Sequence, residues 1–341
     1  MKPMGQSRAY STSHNLLVLV TGATGAVGPQ VVASLLDAGC RVRTLSLDPP
    51  RNELWPESIE AFTGDITNPE DVDHAVQGVD AVIHMAALLH IFNPPPSLRG
   101  RYEKVNVTGT ANVVKSAIDA KAKRVVFFST IAVYGDSHGQ ILTEETPPKP
   151  NTFYGQTKYS AERIVLEARD EGGLPMGTVL RFGAIYGAHI KGNYLRLLAA
   201  LSKRRFIPIG KGSNRRSLIY DKDAGRAAVL AATHPAAAGR VFNVTDGEFH
   251  TLQEIITCMC RALGRNQPRI SLPEGPARAL AGLIEKGALA VNIKPPVSRE
   301  TLDKYTEDIA VDGSLIRKEL GFTPRFNLKA GWEDTLREMI L

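Results

Sequence analysis

A tyrosine and a lysine stand four positions apart in the segment NTFYGQTKYSAE, residues 151 to 162. If this segment is a helix, Tyr154 and Lys158 lie one turn apart on the same face, so the phenol and the ammonium look into the same space. A phenol has a pKa of about 10, and a nearby cation favours its phenolate, so such a pair can transfer a proton near neutral pH. The spacing alone does not separate this chemistry from an ordinary polar helix face.

A glycine-rich turn is the second feature that could carry chemistry. The sequence VLVTGATGAVGPQVV places Gly22, Gly25 and Gly28 between an apolar run and a helical pattern. Glycines let the backbone approach a pyrophosphate, and the N–H groups of the first helical turn attract the anion. The alternative is a tight strand-to-helix turn with Pro29 in the first turn of the helix. Within a parallel sheet, the turn predicts a dinucleotide site.

The chain that must position these residues alternates short β-rich runs with longer helical patterns from Leu16 to about Arg181. The candidate strands are LLVLV, RVRTLSL, IEAFT, DAVIHM, RVVFFS and MGTVLRF. Helices are predicted over 27–38, 104–120 and 154–172, the last ending at Gly172 and Gly173. This alternation is typical of a parallel sheet with helices on both faces, so the predicted fold is α/β and doubly wound.

The rhythm changes beyond Tyr186, where helical patterns outnumber short strands such as RVFNV. Helices are predicted at 192–203, 251–264, 276–290 and 328–340, with proline-rich breaks at NQPRISLPEGP and IKPPVS. We therefore predict a flexible leader over 1–14, a first lobe over 15–185 and a smaller mixed α/β lobe over 186–341. The boundary is approximate, and the chain is expected to cross between the lobes more than once.

The composition predicts a globular protein of enzyme size. Its 341 residues are 43% hydrophobic, enough for a substantial core, and 41 basic against 35 acidic side chains give a net charge of +6. The basic clusters are short, so no nucleic-acid partner is expected. Cys40, Cys258 and Cys260 match neither a disulfide framework nor a metal spacing, so we expect no metal and a reducing, cytoplasmic location. No stretch reaches the roughly 18 apolar residues of a membrane span.

The glycine spacing within TGATGAVG is G-x-x-G-x-x-G, which resembles the short-chain dehydrogenase/reductase superfamily in its extended branch. Further segments resembling this branch follow in order, namely GDIT at 64–67, HMAA at 84–87, NVTGT at 106–110 and STIAVYG at 129–135. Their collinear order, ended by Tyr154-x-x-x-Lys158, is more specific than any single match. The likeness runs from Leu16 to the C-terminus. It implies an NAD(P)-dependent enzyme with a Rossmann domain over 15–185 and a substrate lobe over 186–341.

The resemblance implies a cofactor site built from the glycine turn and later segments. The implied contacts are Gly22, Thr24, Gly25, Ala26, Val27, Gly28, Ser46, Asp65, Ile66, Ala86, Ala87 and Lys158, with Asp65 at the adenine. Ser46 stands where an acid would bind the ribose hydroxyls of NAD, while Asp48 comes two residues later and Arg51 could reach a 2′-phosphate. The sequence leaves NAD and NADP open, with NADP or the use of both slightly favoured.

The resemblance also implies a catalytic set of Tyr154, Lys158, Thr130 and Asn106. Tyr154 would take or return a hydroxyl proton as hydride moves, with Lys158 and the oxidised nicotinamide as the nearby positive charges. Thr130 would hold the reacting oxygen, and Asn106 would order a water that connects Lys158 to solvent. The alternative for Thr130 is a strand-end threonine that satisfies a backbone group. Nucleotide-sugar dehydratases of this branch carry an acidic pair where this chain has Ile131-Ala132, so dehydration is not expected.

The second lobe resembles the region where extended members bind a nucleoside diphosphate sugar. The implied substrate contacts are Asn193 and Arg216 at the diphosphate, Ile207 at the uracil, and Thr130 and Tyr154 at the sugar. The implied substrate is a UDP-sugar, the nearest likenesses are UDP-sugar 4-epimerases and UDP-4-keto-sugar reductases, and a homodimer is expected. Two alternatives stay open. One is a steroid dehydrogenase, suggested by the apolar stretch ARALAGLIEKGALAV, and the other is a cofactor sensor without catalysis.

Replacing Gly25 or Gly22 by valine should abolish nicotinamide binding, because the added side chain would stand where the pyrophosphate must lie. Calorimetric titration of the folded variants with NAD and with NADP measures this loss. The same titration of the wild-type chain determines which cofactor Ser46 allows. Unchanged affinity in a folded Gly25→Val protein would place the cofactor elsewhere.

Overall fold

The computed structural model describes residues 15–49, 55–89, 95–290 and 299–340. The strands are β1 Leu17–Thr21, β2 Arg41–Ser46, β3 Glu60–Thr63, β4 Ala81–His84, β5 Arg124–Thr130, β6 Ile141–Leu142, β7 Gly177–Phe182, β8 Ala184–Tyr186, β9 Arg215–Arg216, β10 Leu218–Tyr220, β11 Arg240–Val244, β12 His250–Thr251 and β13 Ala310–Val311. The α-helices are α1 Gly28–Asp37, α2 Pro69–Val76, α3 Arg99–Tyr102, α4 Gly109–Asp119, α5 Phe153–Glu167, α6 Asn193–Ser202, α7 Asp221–Thr233, α8 Leu252–Ala262, α9 Glu274–Ala290, α10 Arg299–Thr306, α11 Ser314–Leu320 and α12 Leu328–Ile340. A π-helical stretch, Glu103–Thr108, joins α3 to α4.

The main sheet has seven strands in the order β11-β7-β5-β4-β1-β2-β3, and every pair is parallel. Side chains of α1, α7 and α11 pack on one face, and those of α2, α4 and α5 pack on the other. Because both faces are covered, the central strands β1 and β4 are buried along their whole length. The doubly wound α/β fold predicted from the alternating pattern is confirmed.

The point where the strand order reverses lies between β1 and β4, which are hydrogen-bonded neighbours although other strands separate them in the chain. Connections leave the two strands in opposite directions, so a crevice opens at their carboxyl ends. The glycine turn follows β1 and the segment HMAA begins at the end of β4. Two segments that the sequence analysis assigned to the cofactor therefore meet at one place.

The second lobe surrounds short strand pairs, β8 with β10 and β9 with β12. Its core contains Tyr186 stacked on Trp332, with 4.6 Å between ring centroids. The chain then returns to the first lobe. The run RVFNV, which we predicted in the second lobe, is instead the edge strand β11 of the main sheet, because its apolar side chains continue the core next to β7.

One helix boundary was also predicted wrongly. Helix α5 ends at Glu167 and does not continue to Gly172, because Arg169 pairs with Pro175 in an antiparallel bridge that turns the chain back toward β7. Gly173, with φ +76°, lies in that turn. The predicted leader, Arg51 and the IKPPVS break lie outside the described residues. Within the described part of the chain, no helix is both long and apolar enough to cross a bilayer.

Candidate active site

The glycine turn packs directly against the turn that follows β4. Gly22 has φ +73°, and a Cβ atom there would lie 2.8 Å from the backbone nitrogen of Ala86. Gly28 starts α1 so close to the turn that a Cβ would lie 1.9 Å from the Ala23 carbonyl oxygen. Any side chain at position 22 or 28 would therefore clash with these neighbouring backbone atoms, so both positions require glycine. The exposed Thr24 and Gly25 remain open above the start of α1, which fits a dinucleotide pyrophosphate.

Two other predicted cofactor residues, Ser46 and Asp65, lie at or just after the carboxyl ends of β2 and β3, along the same edge of the sheet. Ser46 ends β2, is buried, and accepts a hydrogen bond from the Thr24 backbone N–H at 3.3 Å. Asp65 follows β3 and accepts from the Thr67 backbone N–H at 2.8 Å. Ser46 thus supports the glycine turn and carries no charge for the ribose. The preference for NADP or for both cofactors remains a prediction.

Helix α5 positions Tyr154 and Lys158 beside the end of β5. The Thr152 hydroxyl begins the helix by accepting from the Gly155 N–H at 3.1 Å. A Cβ atom at Gly155 would lie 2.8 Å from the Ala132 carbonyl oxygen, so the missing side chain lets the first turn of α5 approach the short turn after Thr130. Three of the predicted catalytic residues are brought to one region in this way.

Lys158 is buried almost completely. Its side chain is 2% exposed, and Nζ lies 3.9 Å from the centroid of the Phe127 ring. Burial lowers the pKa of the amine to about 7, although Glu162 one turn further along the helix acts in the opposite direction. Burial prevails because the Glu162 carboxylate is already neutralised by Arg181, whose Nη2 and Nε lie 2.7 and 3.0 Å from its oxygens.

Tyr154 is half-buried, and burial raises the pKa of its phenol to about 12, with Tyr102 adding to the rise. In the protein alone, burial thus dominates the pKa of Tyr154. The lowering of this pKa by Lys158 together with oxidised nicotinamide remains a prediction. At neutral pH the phenol therefore carries its proton and is ready to donate it. Loss of that proton requires further positive charge at the site, of the kind that oxidised nicotinamide carries.

Thr130 and Asn106 have defined local partners. The Thr130 hydroxyl accepts from the Ala132 backbone N–H at 3.2 Å, which is the strand-end role. Among the described residues its own hydrogen has no acceptor and can be donated to a substrate. Asn106 lies in the π-helical stretch, with Oδ1 accepting from the Leu88 N–H at 2.7 Å and Nδ2 donating to the Thr157 hydroxyl at 3.1 Å. Asn106 thus fixes the segment after β4 to the helix that carries Lys158. The ordered water remains a prediction.

Sequence reasoning missed several residues around this site. Glu162 continues the four-residue spacing of Tyr154 and Lys158 and could have been found from that spacing. Its partner Arg181 lies on β7, and Tyr102, whose hydroxyl donates to the Leu89 carbonyl at 2.6 Å, lies on α3. No spacing rule connects these residues to α5, because the sheet brings them together.

The predicted substrate residues lie in the second lobe. Asn193 opens α6 and lines a cavity of about 170 Å³ together with Tyr186, Tyr194 and Trp332. Arg216 is 13% exposed, and its Nη2 donates to the backbone carbonyls of Lys304 and Tyr305 at 2.6 and 3.0 Å.

Ile207 stands apart from these groups. Its side chain is 55% exposed, so it forms an open surface here and not a closed slot. Tyr194 is the residue after Asn193. Burial raises the pKa of its phenol to about 12, and the charge of Arg216 partly opposes that rise. Arg216 therefore lies within electrostatic range of the first turn of α6, which Asn193 opens.

Comparison with known proteins is consistent with this geometry. The model of the NAD dependent epimerase/dehydratase family matches residues 18–245, which include the glycine turn, Asn106, Thr130, Tyr154 and Lys158. The chain belongs to this family. Its members include NAD-dependent enzymes of the extended short-chain dehydrogenase/reductase type, so the resemblance drawn from the motifs is confirmed.

Relatives within this family differ in their substrates. The chain is 27% identical over 330 residues to a UDP-glucose 4-epimerase of Vibrio cholerae, covering 95% of both chains. It is 28% identical over 342 residues to a 3-beta-hydroxysteroid dehydrogenase of Mycolicibacterium neoaurum, covering 94% of this chain and 90% of the relative. A solved structure of MoeE5 in complex with UDP-glucuronic acid and NAD is 25% identical, with a TM-score of 0.72 and coverage of 94% and 97%.

Replacing Lys158 by methionine should stabilise the cofactor-free protein. The pKa of this amine is about 7 in the folded chain and 10.5 ordinarily, so the unfolded chain binds more protons between these values. The free-energy penalty of burying the charged amine therefore applies in full below pH 7. It falls as the pH rises from 7 toward 10.5, so the folded protein becomes more stable over that range. Urea titration should show the wild type gaining roughly 2 kcal/mol relative to Lys158→Met between pH 7 and pH 9.

The exposed Lys318 on α11 provides the matched control. Lys318→Met should follow the wild-type dependence of the unfolding free energy on pH. A Lys158→Met protein with that same dependence would show that the amine is not desolvated in solution.

Proposed function

We propose that the protein oxidises and reduces the C4 carbon of a UDP-hexose by hydride transfer, in the manner of a UDP-glucose 4-epimerase. The arrangement of Tyr154 and Lys158 on one face of α5, next to Thr130, carries this proposal. Tyr154 takes the C4 hydroxyl proton during oxidation and returns it during reduction, and Thr130 donates its hydroxyl hydrogen to the reacting oxygen. Bound NAD supplies the hydride acceptor and, once reduced, the hydride donor.

The residues after Thr130 limit the reaction. Ile131 and Ala132 have no carboxyl group, so nothing at these positions can protonate a leaving hydroxyl or remove a carbon-bound proton. This favours simple hydride transfer over dehydration. A one-way UDP-4-keto-sugar reductase would use the same residues, because epimerisation depends only on whether the keto-sugar can turn over before it is reduced again.

Support for a nucleotide-sugar substrate comes from the second lobe and from the relatives. Asn193 and Arg216 offer an amide and a guanidinium, which suit phosphate oxygens, and one relative is a UDP-glucose 4-epimerase. We also propose that the protein assembles as a homodimer.

A steroid dehydrogenase is the second candidate, because another relative of similar identity is a 3-beta-hydroxysteroid dehydrogenase. In that case the substrate would be apolar, and Arg216 would serve only to hold α10.

Incubation with UDP-glucose, UDP-galactose and their N-acetyl forms, without added reductant, tests the reaction. A new epimer without net change in nicotinamide absorbance is the expected result. NADPH consumption on a 4-keto sugar, with no epimer formed, would select the reductase.

Tyr154→Phe should lower turnover by about 10²-fold or more, since it removes the proposed proton donor and keeps the ring. Wild-type turnover in that variant would show that another group transfers the proton.

Arg216→Ala should weaken UDP and UDP-sugar binding by about 2 kcal/mol, the scale of a charge-assisted hydrogen bond, and leave NAD binding unchanged. Arg215→Ala is the matched control. Arg215 is the neighbouring residue in β9, and its guanidinium is already paired with Asp308 at 2.6 Å. Calorimetry with UDP measures both. A wild-type protein that does not bind millimolar UDP, but is protected against heat by a sterol, would establish the steroid alternative instead.

A further inference from the structure

His84 forms the centre of a chain of buried hydrogen bonds between the glycine turn and Asn106. Its Nδ1 lies 2.6 Å from the Thr21 hydroxyl, and its Nε2 lies 3.0 Å from the Thr110 hydroxyl. Thr110 donates in turn to the Asn106 backbone carbonyl at 2.7 Å, and the Ala86 backbone N–H donates to the Thr21 hydroxyl at 3.3 Å. His84, Thr21 and Thr110 are all 0% exposed.

The direction of every bond in this chain follows from its two ends. A carbonyl oxygen can only accept, so the Thr110 hydrogen points to Asn106 and the Thr110 oxygen must accept from His84 Nε2. Burial, with a contribution from the nearby charge of Lys158, lowers the pKa of His84 to about 3, so the imidazole is neutral and has one N–H. Nδ1 is therefore bare and accepts from Thr21, whose oxygen accepts from the Ala86 N–H. One tautomer satisfies all four groups.

These hydrogen bonds around His84 connect the parts of the site that must keep their relative positions. Thr21 immediately precedes Gly22, and Ala86 is the residue that the Gly22 backbone approaches. At the other end, Asn106 holds Leu88 and Thr157, the neighbour of Lys158. One arm of His84 thus supports the cofactor turn, and the other supports the π-helical stretch that fixes α5.

We propose that His84 is a positioning residue, whose Nε2–H tautomer holds the cofactor turn through Thr21 and the catalytic helix through Thr110 and Asn106. The proposal rests on the hydride transfer proposed above but not on the identity of the sugar. A histidine that only fills the core would make the same packing contacts. Its loss would then lower stability without separating cofactor binding from turnover.

Two substitutions separate the arms, because the side-chain amide of asparagine reaches about as far as Nδ1 and that of glutamine about as far as Nε2. His84→Gln can still donate to Thr110 but leaves Thr21 without its acceptor. We expect the Kd for NAD to rise about tenfold with turnover nearly unchanged, the scale of one lost hydrogen bond. His84→Asn keeps the acceptor for Thr21 and loses the donor to Thr110. We expect turnover to fall about tenfold with NAD affinity nearly unchanged.

Isosteric replacements of the partners provide an independent pair if the His84 variants do not fold. Thr21→Val should reproduce the effect of His84→Gln, and Thr110→Val that of His84→Asn. Thr178→Val is the matched control, since this buried hydroxyl donates to the Ala237 carbonyl at 2.7 Å near the amino end of β7, away from the site. It should lower stability without changing NAD affinity or turnover.

The tautomer is measured directly by ¹⁵N NMR of the histidine-labelled protein, with the His84 signal identified by its absence in His84→Gln. A protonated Nε2 and a bare Nδ1 at both pH 8 and pH 5 are expected. The opposite tautomer, or a loss of stability alone in both His84 variants, would overturn the proposal. NAD affinity and the tautomer need no sugar substrate, so a failure of the UDP-hexose assay leaves this test intact.

Discussion

The approach of the turn after β1 to the turn after β4 is the constraint on which the candidate site depends. Parallel pairing places Thr21 beside His84, so the chain must leave both strands at the same point of the sheet. The turns fit together only because residue 22 has no side chain, since a Cβ would lie 2.8 Å from the Ala86 backbone. Thr24 and Gly25 follow in the same turn and are exposed at the start of α1. The close approach also brings the Ala86 N–H within reach of the Thr21 hydroxyl.

Charge is distributed unevenly around α5. Glu162 and Arg181 are both buried, but they neutralise each other through a bidentate pair in which each group has its partner. Lys158 one turn away gains little from that carboxylate, so burial dominates and its pKa falls to about 7. The protein thus buries an amine whose charged form opposes folding. Such a loss of stability is common where residues are kept for chemistry.

The C-terminal part of the chain fastens the second lobe to the first. Strand β13 pairs with β6, which belongs to the first half of the chain. The Asp223 carboxylate in α7 accepts from the backbone N–H groups of Arg325 and Phe326 at 2.9 Å each. Arg216 is held by carbonyls at the end of α10. Any substrate that contacts Arg216 therefore meets a side chain whose position depends on residues far away in the sequence.

The sequence determined the alternating sheet, the glycine turn and the Tyr154–Lys158 pair, because each depends on residues close together in the chain. Periodicity fixed most helices within a few residues, although α5 ended earlier than predicted because Arg169 pairs with Pro175. Only the tertiary structure decided that RVFNV joins the main sheet, that Glu162 is neutralised by Arg181, and that His84 links Thr21 to Thr110. These contacts join elements that are distant in sequence. Their partners are chosen by which strands lie side by side, and a local pattern carries no information about that choice.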